Sequence, residues 1–148
     1  MLVAAAASLA FTGVASAQVG AGKTTGSGSV ASGNPFAPFQ INVNARGIVA
    51  GTDVLPAGRV TFRNDEFSFE GDVACYFQSG NVADISGPIV DSKGLDSDNG
   101  FYALSVQDNG QDDLVSFNAV EGLPLFCGDA GPPALPLEGG NIQVHPFG

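Results

Sequence analysis

An all-β domain, a single antiparallel barrel or sandwich of about seven to eight strands, is the fold this sequence predicts. Three observations carry it. Apolar and polar residues alternate with period two in several short segments. Turn signals built on Asn, Asp and Gly separate those segments. No stretch after residue 17 combines helical spacing with caps. The chain has 148 residues, 44% of them apolar and 14% charged. That is enough apolar surface to offset the entropy of ordering, and the length fits one domain.

Along the chain, residues 1–17 read as a secretory signal. The uncharged run from Leu2 to Val14 precedes Ala15-Ser16-Ala17, a small-x-small cleavage pattern. The run is too short for a transmembrane helix, which takes about 20 apolar residues, and the usual positive n-region is missing. Residues 18–35 are rich in Gly, Ser and Thr without an apolar period, which predicts a flexible arm. The folded domain is then 36–148.

Within it, Phe39, Ile41, Val43 and Ala45 alternate with Gln40, Asn42 and Asn44. Val60 and Phe62 alternate with Arg59, Thr61 and Arg63. Phe67, Phe69, Val73, Cys75 and Phe77 share odd positions, with Gly71 as a bulge or bend. Tyr102, Leu104 and Val106 form one face of a further strand, followed by Val115, Phe117 and Ala119 or their neighbours, and then by Ile142 and Val144. Turns are expected at Asn64-Asp65, Ser79-Gly80-Asn81, Asp98-Asn99-Gly100 and Asp108-Asn109-Gly110. The expected core is Phe67, Phe69, Phe77, Phe101 or Tyr102, Leu104, Val106, Phe117 and Ile142. Most strands carry one polar face, so one side of the sheet meets water. Segments Gly122 to Cys127 and Gly131 to Leu137 are apolar and proline-rich. They are read as loops that pack over the open end of a barrel or present an apolar patch.

Fifteen Asp and Glu against five Lys and Arg give a formal charge of −10. So few cations exclude a nucleic-acid binder, because phosphate contacts need clustered Lys and Arg. The acidic surface suits a soluble monomer that is secreted or retained at the cell surface. In an oxidising compartment the two cysteines, Cys75 and Cys127, are most simply one disulfide.

Three sequence elements resemble those of a family of small secreted bacterial β domains. The first is Val73-Ala74-Cys75 followed by Gly80-Asn81-Val82-Ala83-Asp84-Ile85-Ser86-Gly87. The second is Val106 to Gly110 with Asp113 to Phe117, and the third is Gly139 to His145. They stand in the family's order from about residue 39 to the end. The resemblance implies a secreted or surface-attached β module and supplies no catalytic residue. The acidic insert from Lys93 to Gly100 departs from the family's plainer loop.

Candidate chemistry is sparse. The single histidine, His145, would have to serve any Ser-His-Asp set, and there is no G-x-S-x-G elbow. Glu66 and Glu70 flank a strand and are the candidates for paired-carboxylate glycoside chemistry, without a tryptophan for sugar stacking. Asp96 and Asp98 in one acidic run, and Asp108 and Asp112 in another, offer oxygen ligands for Ca²⁺. Neither run has the full twelve-residue pattern, and Asp and Asn are also what turns select. Gly22-Lys23-Thr24 imitates part of a P-loop without its strand–loop–helix context. These residues predict a secreted non-enzymatic β module, structural or ligand-binding, without a cofactor. A Ca²⁺-supported binding module is the alternative, and a small secreted hydrolase the third reading.

Overall fold

A computed structural model describes residues 21–94 and 100–146. The expected signal (1–17) and the acidic run containing Asp96 and Asp98 lie outside the described residues. Inside them the chain forms ten strands: β1 (Gly22–Val30), β2 (Phe39–Ala50), β3 (Asp53–Asn64), β4 (Ser68–Asp72), β5 (Cys75–Ser79), β6 (Val82–Lys93), β7 (Gly100–Gln107), β8 (Leu114–Glu121), β9 (Leu135–Pro136) and β10 (Gly140–Pro146). All pairings are antiparallel. The path runs β10-β1-β2-β3-β4-β6-β7-β8-β9, with β5 pairing β6. This one sheet curls into a half-barrel, as the all-β prediction requires.

The alternation read from β2 is obeyed residue by residue. Phe39, Ile41, Val43 and Ala45 are buried, while Gln40, Asn42, Asn44 and Arg46 are exposed. Side chains on the concave side fill the interior. At the end near the β3–β4 turn, Phe36, Phe39, Phe62, Phe67, Phe69 and Phe117 pack with centroid separations such as 4.5 Å between Phe62 and Phe117. Stacked and edge-on pairs at these spacings add to the area they bury. Nearer the other end the interior is polar: Thr24 Oγ1 lies 2.9 Å from Tyr76 Oη, which donates to Gln78 Oε1 at 2.8 Å. The single phenolic proton goes to Gln78, so Thr24 is the donor to Tyr76.

Two expectations are corrected. The segment expected as part of a flexible arm forms β1, and it lies between β10 and β2 with seven and nine register pairs. Its inward positions alternate Gly22, Thr24, Gly26, Gly28 and Val30, and small residues are required there. A Cβ on Gly22 would meet the Gln78 side chain, and one on Gly28 the Leu137 side chain. Glycine gave a strand without an apolar stripe. Phe77, expected in the core, is 44% exposed, and Tyr76 is buried in its place. The continuous odd-position pattern hides a break at Val73-Ala74, where the two amides turn to different neighbours, Gly58 O and Ser86 O. β5 resumes with the opposite parity. The irregularity expected at Gly71 is present, but the extra residue is Val90 on β6, since Glu70 faces Asp91 and Gly71 faces Ile89.

Cys75 and Cys127 are joined, across 52 residues of sequence, and this ties β5 to the loop after β8. Closing a loop of that length is worth about 4 kcal/mol in the chain-entropy account. The two proline-rich segments part company. Leu135 and Leu137 pack on the core, whereas Leu123 and Phe126 are 70% and 62% exposed.

Candidate functional site

Each strand that buries one face leaves the other to water, and the register decides which outward residues become neighbours. On the outer face of β1, β2, β3, β4 and β6 the ladders align two rows. One runs Ser29–Gln40–Arg63–Ser68–Lys93 and the other Ser27–Asn42–Thr61–Glu70–Asp91. The rows are about 7 Å apart along the strands and cross four inter-strand steps, about 19 Å. A trough of about 770 Å³ lies over these rows, within the range of small-ligand sites. Its walls are hydroxyls and amides, with cations in one row and carboxylates in the other.

Local contacts hold these side chains in place. Arg63 Nη2 donates to Gln40 Oε1 across the β2–β3 ladder. Arg59, one row further on, bridges Glu70 at 2.7 Å and Asp72 at 3.2 Å. Those three side chains are about half exposed, so the pairs orient rather than stabilise strongly. Glu70 and Asp91 face each other directly, a like-charge neighbour pair that costs stability unless a partner offsets it. Arg59 supplies that offset on one side. Beyond it lies a fourth row, His145–Lys23–Arg46, across β10, β1 and β2. All five cations of the chain, Lys23, Arg46, Arg59, Arg63 and Lys93, are thus exposed on one face.

The residues singled out from sequence fall elsewhere or take other roles. Asp108 accepts the amides of Gly110 and Val144, both at 3.0 Å. Asp112 is exposed on the β7–β8 turn, and its carbonyl accepts from Asn109. Among the described residues no three His, Cys, Asp or Glu side chains converge as a metal site. His145 is exposed, 3.2 Å from Gln143. Glu66 is exposed in the β3–β4 turn and Glu70 lies in the trough.

Sequence reasoning read Asp113 only as part of the acidic cluster from Asp108 to Asp113 and missed that it is 2% exposed and accepts the amides of Asn109 and Ile142. It also missed the trough as a unit. The available signal was that the polar partners in the alternating segments are Ser, Thr, Asn, Gln and Arg, short or hydrogen-bonding side chains rather than a solvating mixture of Lys and Glu. The chain matches no protein-family model, and comparison with curated proteins and with solved structures gives no match.

Proposed function

We propose that this protein is an exported, non-enzymatic β module that binds a hydroxyl-rich, extended ligand, such as a polysaccharide chain, along the polar trough. The observation that carries this reading is the pair of aligned rows along the trough. Donors and acceptors recur there at the strand spacing, and a chain of sugar hydroxyls presents donors and acceptors at comparable intervals. The polar rows offer no aromatic platform, so affinity rests on hydrogen bonds and on the charges of Arg63, Lys93 and Asp91. Glu70 is engaged by Arg59, which suits an acceptor of hydroxyl protons better than a proton donor to a glycosidic oxygen. Export is supported by the signal-like N-terminus and by the disulfide.

Titration of the isotope-labelled protein with neutral and uronic-acid oligosaccharides tests it by amide chemical shifts. Shifts are expected along Gln40, Asn42, Thr61 and Arg63, and Asn42→Ala with Arg63→Ala should weaken binding about tenfold or more. Shifts located elsewhere, or none with either sugar class, would reject the trough as the binding face.

A further inference from the structure

The β2–β3 hairpin outruns the sheet. Among the described residues the β1 ladder on β2 reaches Gly47, and the β4 ladder on β3 begins at Arg59. Beyond them β2 and β3 continue alone through Ile48↔Leu55, Val49↔Val54 and Ala50↔Asp53 to the turn at Gly51-Thr52. Among the described residues no strand pairs with β3 between this turn and Arg59, because the chain turns at Val73-Ala74 and β5 pairs with β6 instead. Two strands alone are marginal in water, and this pair is apolar on both faces. Ile48 and Leu55 share one face at 41% and 51% exposure, and Val49, 38% exposed, lies opposite with Val54. Pro56 removes a donor from the open edge, so the ribbon is poorly suited to strand addition.

At the base of the ribbon, on the same face as Ile48 and Leu55, Lys23 and Arg46 are direct cross-strand neighbours, with His145 next to Lys23. Like charges placed so are unfavourable. Among the described residues the ion pairs are those of Arg59 alone. Among the described residues these two adjacent cations have no carboxylate partner beneath an apolar tip. We propose that this hairpin is a membrane-docking device: the tip enters the interface of a lipid bilayer, and Lys23 and Arg46 meet anionic headgroups.

A bilayer surrounds both faces of a ribbon, whereas a groove on a second copy would cover one face and bring Lys23 and Arg46 of both copies together. The tip reaches about 13–17 Å past the sheet at strand rise. Asp53 beside the turn limits penetration to headgroup depth, the range of interfacial rather than spanning elements.

Co-sedimentation of the full chain with vesicles of mixed phosphatidylglycerol and phosphatidylcholine tests the proposal. Ile48→Thr with Leu55→Thr should weaken partitioning about tenfold. Lys23→Gln and Arg46→Gln should each weaken it about fivefold and flatten its salt dependence. Asp53→Asn should strengthen it. A spin label on Thr52→Cys should gain oxygen accessibility and lose contact with an aqueous quencher when vesicles are added, a readout that needs no destabilising change. Equal binding by wild type and the Ile48/Leu55 variant would assign association to the apolar N-terminus and overturn the proposal. Absence of binding, or a dimer in sedimentation that Ile48→Thr dissociates, would overturn it too.

Discussion

Both tyrosines of the chain point inward, Tyr76 at 5% and Tyr102 at 0% exposure. Tyr102 donates to Asp72 O at 2.9 Å. Burial raises the Tyr102 phenol well above its ordinary value, and the nearby Asp72 charge adds to this. Burial also raises Tyr76, against a smaller opposing effect of its bond to Thr24. The folded chain therefore keeps both protons when the unfolded chain releases them near pH 10. Their contribution is intact below pH 10 and is lost as pH climbs from there toward the folded values. Each tyrosine removes up to about 1.4 kcal/mol per pH unit in that window. Phenolate absorbance should thus appear together with loss of β-sheet circular dichroism, and Tyr102→Phe should flatten the decline while losing about 1 kcal/mol at neutral pH. Phenolate appearing before unfolding would refute the buried assignment. Tyr76 also marks a limit of sequence reading: an unbroken odd-position pattern from Phe67 to Phe77 conceals a parity change that only the amides of Val73 and Ala74 reveal.

At the scale of elements, the seam of the curled sheet is closed by side chains. The outward edge of β10 offers the amides of Ile142 and Val144 to Asp113 and Asp108, both at 3.0 Å. The next outward position is Pro146, which has no amide to offer. An edge strand with unpaired donors invites pairing with other chains, and this arrangement removes them. Asp113→Ala leaves the buried amide of Ile142 and the part-buried amide of Asn109 without their acceptor and should cost about 2 kcal/mol in urea denaturation. Faster hydrogen exchange should be centred on Ile142 and Val144. Unchanged exchange there would show that the carboxylate does not hold the seam. β2, β3 and β10 were legible because each has one wet face. β6 was not, because residues 83–89 are mostly buried on both faces and lose their alternation. β1 escaped because three of its five inward positions are glycines, and the turn-like sequence around Asp113 gave no sign of β10's approach. Without β1 in place the rows of the trough cannot be assembled from sequence, although Gln40, Asn42, Thr61 and Arg63 were individually readable as outward.

Over the whole molecule, the fold gathers the five cations on one face and leaves three carboxylates, Glu70, Asp72 and Asp91, in the same rows. Elsewhere the surface is acidic without compensation. Two electrostatic effects then compete in the folded state: repulsion among many carboxylates, which salt relieves, and the exposed pairs of Arg59, which salt weakens. The pairs are about half exposed and worth little, typically below about 1 kcal/mol each. A net charge of −10 carried mostly outside the cationic face opposes compaction. Repulsion should win. Raising sodium chloride from low concentration to a few times the physiological level should increase the thermal midpoint by a few degrees, since about 1 kcal/mol moves a domain of this size by roughly that much. The Arg59→Gln variant should show the same rise from a slightly lower start. A midpoint that falls with salt in the wild type and not in Arg59→Gln would show instead that the Glu70–Arg59–Asp72 cluster dominates, and that the trough is held in shape by its ion pairs rather than by the ladder beneath them.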